Sequence, residues 1–259
     1  MPSKGRELAG HTVLVTRAPE QAGALSEALM ARGAQVLELP TITIVPPESY
    51  APLDQALGQA SAYDALILGS KNGAQVVVDR CLQLGLHWPG PIACVGEKTA
   101  QWVRGQPEIF RGTVIVPETF RAEALVAALS AHFGGVEGRR FLHPRAPEGR
   151  ETIGANLWAR GGRVEAVEAY RIRPAPPVDD PEQLRALAAV DWVTFLSGET
   201  LKAFLSVVPE ARNYLAARKV AVIGPVAAER AEKLGLRVDL IPPQATVESL
   251  VQSLAAFGT

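Results

Sequence analysis

Six short segments of this 259-residue chain carry residue types suited to binding anions. They read Thr16-Arg17-Ala18-Pro19, Gly69-Ser70-Lys71-Asn72-Gly73, Gly96-Glu97-Lys98-Thr99, His143-Pro144-Arg145-Ala146-Pro147, Ser197-Gly198-Glu199-Thr200 and Gly224-Pro225. Each follows an apolar run and leads into a helical pattern. A helix start presents unpaired backbone N–H groups and the positive end of the helix dipole, so it accepts carboxylates or phosphates. Several such starts in one chain predict a ligand with several anionic groups. Ser, Thr and Gly are also the ordinary capping residues, so each segment taken singly has a purely structural reading. Arg17 and Arg145 each stand directly after the first strand of a half-chain, where a ligand contact and a surface ion pair are equally open. No segment is a nucleotide loop: Gly69-Ser70-Lys71 lacks the preceding glycine spacing, and GxGxxG does not occur.

The elements that must position these segments repeat. Arg17-Ala18-Pro19-Glu20 recurs as Arg145-Ala146-Pro147-Glu148, and Ala31-Arg32-Gly33 as Ala159-Arg160-Gly161, at one common offset. Asp64 and Ser70 return, at nearly the same offset, as Asp191 and Ser197. This spacing predicts an internal duplication. Each half alternates short apolar strands with helices, which implies parallel sheets joined by right-handed crossovers. The predicted strands are Val13–Val15, Ala65–Leu68, Ile92–Val95, Val114–Val116, Phe141–Leu142, Trp192–Leu196, Val220–Ile223 and Val238–Ile241. A helix opens at Pro19 and Glu20, carries a stripe of Ala22, Leu25, Ala28 and Leu29, and ends before Gly33. Two proline-rich stretches, Pro40 to Pro52 and Arg173 to Pro177, fall within the repeats and read as linkers. They predict two α/β domains exchanged between the repeats: 1–38 with 175–259, and 48–165, joined by linker strands at 39–47 and 166–174.

Composition narrows the function. With 26 basic and 27 acidic residues the net charge is −1, which is not the footprint of a nucleic-acid binder. Cys81 and Cys94 have no metal-ligand spacing, and Cys94 sits in an apolar run that suits core packing. The four histidines, His11, His87, His132 and His143, are scattered and read as surface or turn residues. No apolar h-region follows the first residues and no run reaches membrane-spanning length, so a cytoplasmic chain without membrane contact is expected.

Taken together, Val13-Leu14-Val15-Thr16-Arg17, Tyr63-Asp64 through Gly73, Val95-Gly96-Glu97-Lys98-Thr99-Ala100, Ala169-Tyr170, Asp191 through Ser197, Val222-Ile223-Gly224-Pro225 and Thr246-Val247-Glu248-Ser249-Leu250 resemble the uroporphyrinogen-III synthase family over nearly the whole chain. The resemblance implies a monomeric lyase of heme and porphyrin biosynthesis that needs no cofactor and no metal. Its substrate, hydroxymethylbilane, is a linear tetrapyrrole with eight carboxylates, and a transient contact with the preceding pathway enzyme accompanies that role. It implies loss of the hydroxyl to give an azafulvene, attack through a spiro intermediate, and closure with ring D inverted, in a cleft between the domains. Tyr170 aligns with the tyrosine that assists departure of the hydroxyl, and it faces Ile42 in the other repeat. The resemblance places Ser70, Gly73, Gly96, Thr99, Ser197, Lys219 and Gly224 in the substrate site; the helix starts and the repeated arginines add Arg17, Lys71, Asn72, Arg145, Gly198, Thr200 and Pro225. The chain departs from the family at Gly69 and at Val226-Ala227, where threonines are common. The alternative is a non-catalytic regulatory protein that binds a tetrapyrrole or small anion on the same fold.

Overall fold

A computed structural model describes residues 6–17, 19–119, 121–147 and 152–257. Ala18 and Glu148 of the repeated Arg-Ala-Pro-Glu motif lie outside the described residues. The first elements are β1 (Thr12–Val15), α1 (Pro19–Met30), β2 (Gln35–Glu38) and β3 (Ile42–Val45). Next come α2 (Ala51–Gly58), β4 (Ala65–Leu68), α3 (Lys71–Leu84), β5 (Ile92–Cys94), α4 (Glu97–Arg104), β6 (Val114–Ile115), α5 (Ala122–Phe133), β7 (Arg140–Arg145), α6 (Thr152–Trp158) and β8 (Arg163–Glu168). The chain then forms β9 (Arg171–Pro174), α7 (Pro181–Ala188), β10 (Trp192–Phe195), α8 (Gly198–Val207), α9 (Ala211–Ala216), β11 (Lys219–Val222), α10 (Pro225–Lys233) and α11 (Val247–Phe257).

Two compact units result. One combines Met1–Thr43 with Arg173–Thr259; the other is Ile44–Ile172. The first holds a four-stranded sheet of order β11-β10-β1-β2, and the second a five-stranded sheet of order β6-β5-β4-β7-β8. Every pairing in both sheets is parallel. The strands β3 and β9, where the chain passes between the units, pair as a two-stranded sheet.

The apolar runs form central strands because both faces of each sheet are covered. In β4, Leu66 and Leu68 pack into one cluster with Trp88 and Val77, while Ala65 and Ile67 pack into another with Leu125 and Phe141. In β1, Leu14 joins the cluster of Phe195 and Phe204, while Val13 and Val15 join that of Leu25 and Leu254. Successive side chains point to opposite faces, so a continuous apolar run feeds two cores. Helix α1 buries Ala22, Leu25 and Leu29 completely. Cys81 and Cys94 are buried in the core, and burial pushes their thiols up to about 11 and about 12.

Several sequence-based assignments need correction. Residues 166–168, assigned to a linker, pair with β7 as the end of β8. The first proline-rich stretch contains β3 and the start of α2, whose Pro52 occupies the first turn. Val238–Ile241 is not a strand: a single bridge joins Leu240 to Ala221. Asp239 turns its carboxylate onto the Val220 amide at 2.8 Å, and Pro242-Pro243 removes the next backbone donors. His143, Pro144 and Arg145 belong to β7 rather than to a loop. His143 is buried, contrary to its surface assignment.

The recurring aspartates tie strand starts together. Asp64 Oδ2 accepts from the Arg140 amide at 2.9 Å and Oδ1 from Arg139 Nη1 at 2.7 Å. Asp191 Oδ2 accepts from the Thr12 amide at 2.8 Å. Each carboxylate therefore fixes the first residue of the neighbouring parallel strand. Asp64→Ala leaves the Arg140 amide without this acceptor and should cost about 1–2 kcal/mol, since the site is partly solvated. Urea denaturation measures it; a loss below a few tenths would show that water replaces the carboxylate fully.

Candidate functional site

Parallel topology decides which residues can meet. In the five-stranded sheet β7 lies between β4 and β8, with Leu142 beside both Leu66 and Glu165. Ser70 follows the carboxyl end of β4, and Tyr170 follows that of β8, so both emerge at the same end of the sheet. The Ser70 Oγ and the Tyr170 hydroxyl lie 3.0 Å apart. Ser70 caps α3, its Oγ accepting from the Gly73 amide at 3.1 Å. A serine hydroxyl has one proton and two lone pairs, so this cap leaves it able to give or take a proton with Tyr170. Tyr170 is 8% exposed, its ring packed in the core beneath this end of the sheet.

Gly73 is positioned by packing. A Cβ there would lie 3.2 Å from the Pro144 carbonyl oxygen and 3.7 Å from the Tyr170 ring. Pro144 is tolerated in an inner strand for a related reason. The β4–β7 ladder ends at Leu142, while the β7–β8 ladder continues to Arg145. The Arg140 carbonyl faces the β4 side and the Arg145 carbonyl the β8 side, so the missing amide of Pro144 faces β4, beyond the last β4–β7 pair at Leu142, and the pairing with β8 is untouched.

Ser70 and Tyr170 line a cavity of about 300 Å³ together with Gly69, His143, Arg145 and Ile153. His143 is 6% exposed, and its ring is pushed down to about 4, first by burial and then by the positive charge of Arg145. It is therefore neutral at pH 7. Sequence reading missed this residue because a histidine after Phe141-Leu142 looked like the start of a turn. The alternation of Phe141, His143 and Arg145 along one strand was the available signal.

The remaining helix starts fall at the same ends of their own sheets. Gly96 caps α4, and Thr99 in its first turn is buried. Lys71 and Lys98 are exposed beside α3 and α4, and Asn72 is half-buried. In the other unit Ser197 caps α8 and accepts from the Thr200 amide at 3.1 Å. The Thr200 hydroxyl is buried and donates to the Ser197 carbonyl at 2.9 Å, so it serves its own turn. Gly198 admits Arg230: a Cβ would lie 2.7 Å from its Cγ. Gly224 caps α10 and packs against Ala245, while Pro225 occupies the first turn and brings no donor. Arg17 follows β1 half-buried, and burial lowers its pKa from the usual arginine value.

Lys219 does not join these groups. It is the first residue of β11 and stands level with Trp192, at the amino end of the sheet. Its ammonium lies 5.3 Å from the Trp192 ring centre and 4.7 Å from that of Phe257. Proximity in sequence to Gly224 did not specify which end of the strand carries the lysine. Among the described residues no three His, Cys, Asp or Glu side chains converge as a metal site. None of the described helices is long and apolar enough to cross a membrane.

Comparison with known proteins gives this arrangement a family. The model of the family described as uroporphyrinogen-III synthase HemD matches residues 23–252. The chain belongs to the uroporphyrinogen-III synthase family. It is 35% identical over 262 residues to the uroporphyrinogen-III synthase of Synechococcus elongatus, covering 97% of each chain. It is 25% identical to that of Escherichia coli K12, covering 94% of this chain and 99% of the relative. The fold matches a solved Helicobacter pylori uroporphyrinogen-III synthetase at 16% identity and a TM-score of 0.61, covering 95% of this chain and 99% of that one. A mutant synthase of the extreme thermophile Thermus thermophilus matches at 17% identity and a TM-score of 0.60, covering 96% of this chain and 100% of that one.

The buried imidazole gives a stability test. An unfolded histidine binds a proton near pH 6.5, whereas folded His143 resists it until about 4. The unfolded state thus binds more protons between these values, and stability should fall as pH drops through that window. Urea midpoints between pH 7 and 4 should decline less steeply in His143→Leu than in the unaltered chain. Parallel slopes would mean that His143 is protonated in the folded state as readily as in the unfolded one.

Proposed function

We propose that this chain converts hydroxymethylbilane to uroporphyrinogen III with release of one water. Membership of the family supports the reaction. The observation that carries the mechanism is the partly buried pair of Ser70 and Tyr170 hydroxyls, 3.0 Å apart, at a cavity that Arg145 also lines. In this reading the chain acts as a cyclising hydro-lyase.

The reaction begins with departure of the terminal hydroxyl. A phenol can donate a hydrogen bond to that oxygen while remaining neutral at pH 7. With the Ser70 proton directed at the Tyr170 oxygen, the phenolic proton is available for the leaving group. The departing oxygen takes a proton and leaves as water, and the electron pair of the adjacent pyrrole nitrogen forms the azafulvene. The terminal pyrrole attacks that methylene through its substituted carbon, giving the spiro intermediate. Fragmentation and reclosure at the free carbon invert ring D, and loss of a proton restores aromaticity.

Uncatalysed closure yields the symmetric isomer, so orientation is the chain's larger task. The helix starts after β4, β5 and β10 offer amides for the acetates and propionates, with Lys71, Lys98, Arg17 and Arg145 adding attraction. This division separates two effects. Tyr170→Phe preserves the ring packing and removes the donor. Its kcat should fall about 10²-fold, within the usual range for general acid catalysis, while the product stays the type III isomer. Turnover of fresh hydroxymethylbilane, followed by oxidation and isomer separation, measures both. An unchanged rate would remove Tyr170 from the chemistry. Binding without any turnover by the unaltered chain would favour the regulatory alternative.

A further inference from the structure

His143 is a buried polar residue that the proposed chemistry leaves unused. Its ring lines the cavity of Ser70, Arg145 and Tyr170, and also a neighbouring cavity of about 300 Å³ lined by Trp158 and Val164. Among the described residues no hydrogen bond or ion pair of its side chain is seen, and its nitrogens are not sealed off from the cavities it borders. A polar group closed in on most sides but open to a cavity can take its partner from a ligand there.

The surrounding chain keeps room for the ring. A Cβ at Gly69 would lie 3.5 Å from His143 Nε2, so the imidazole edge reaches the turn that carries Ser70. Arg145 lies two residues farther along β7, on the same side of the strand, and lines the same cavity. The guanidinium offers charge, and the imidazole offers one donor and one acceptor at a fixed place on a strand. A carboxylate is the ligand group that uses both: it accepts the ring N–H while meeting the positive charge beside it.

We propose that His143 is a substrate-contacting residue that donates a hydrogen bond to one carboxylate of the bound tetrapyrrole, beside the positive charge of Arg145. The assignment rests on the proposed function. It concerns binding and orientation rather than proton transfer to the reacting carbon. A ring kept neutral by its surroundings can donate this bond without bringing a second buried charge.

The test uses the whole chain, hydroxymethylbilane for turnover and uroporphyrinogen III, kept free of oxygen, for binding. His143→Phe retains an aromatic ring and removes both nitrogens. It should raise KM and the product Kd about tenfold and leave kcat within about twofold. His143→Gln, which restores a donor, should recover part of the loss. A merely structural histidine would move the melting temperature and leave the split between KM and kcat alone. Histidine-labelled nitrogen NMR of the unaltered chain is the second measurement: saturating product should shift the His143 ring signals. A folded His143→Phe with unaltered KM and Kd would overturn the contact. If that variant does not fold, an unshifted ring signal would do the same. Failure of the unaltered chain to turn over hydroxymethylbilane would instead remove the function on which the assignment stands.

Discussion

All strands of the two larger sheets run parallel, and this constraint organises everything at their carboxyl ends. A parallel strand must be followed by a crossover over one face of the sheet. The turns into α3, α4, α8 and α10 therefore gather at one end of their own sheet, each with first-turn amides outside the intrahelical ladder, of which the caps of α3 and α8 take one apiece. The same rule sends β8 out at the carboxyl end beside β7. That is why Tyr170 reaches Ser70 although 100 residues separate them in sequence.

The Ser70 hydroxyl links local structure to chemistry. It satisfies an amide of α3 and simultaneously meets the phenol of Tyr170. The corresponding serine of the other unit makes the same cap, but its hydroxyl meets Thr200 within its own turn at 3.2 Å. Two similar strand–turn–helix segments thus differ in what the cap reaches. One closes on itself; the other holds a side chain from the end of a different strand. An asymmetric reaction on two similar α/β units needs a difference of this kind, and here it comes without a change in the capping geometry.

The sequence was most legible where burial was most complete. β1, β4 and β10 are largely apolar because both faces are covered, and their limits could be read to within a residue. β2 and β8 were missed. They are edge strands rich in polar residues, Gln35–Glu38 and Arg163–Glu168, and neither shows a clean apolar face. β7 was cut short because proline ordinarily stops a central strand; nothing local says that Pro144 turns its missing donor toward β4 while the pairing with β8 continues. Lys219 was assigned to the site by the family resemblance, although the four-residue strand it begins separates it from Gly224 at the other end of the sheet. The caps Ser70, Gly96, Ser197 and Gly224 were readable because capping is local. Their company was not, since the meeting of Ser70, His143 and Tyr170 depends on strand order.

The scarcity of net charge follows from the same geometry. A chain of net charge −1 can hold a ligand of many carboxylates if much of the attraction comes from amides. Each helix start behaves as roughly half a positive charge, concentrated in its first turn. An amide carries no formal charge, so burying it beside an anion avoids much of the desolvation that burdens a cation. Arg17 illustrates that burden, for burial alone pulls its pKa down. His143 belongs with the amides in this respect: it is held neutral yet remains a donor. A neutral donor held on a strand or helix start sets the direction of a carboxylate, whereas an exposed charge only raises its local concentration. The first property bears on which carbon of the terminal pyrrole attacks, the second only on how often the ligand arrives. In the proposed reaction, selectivity for the inverted ring then falls to the neutral donors and the strand order that sets them, rather than to the number of basic residues.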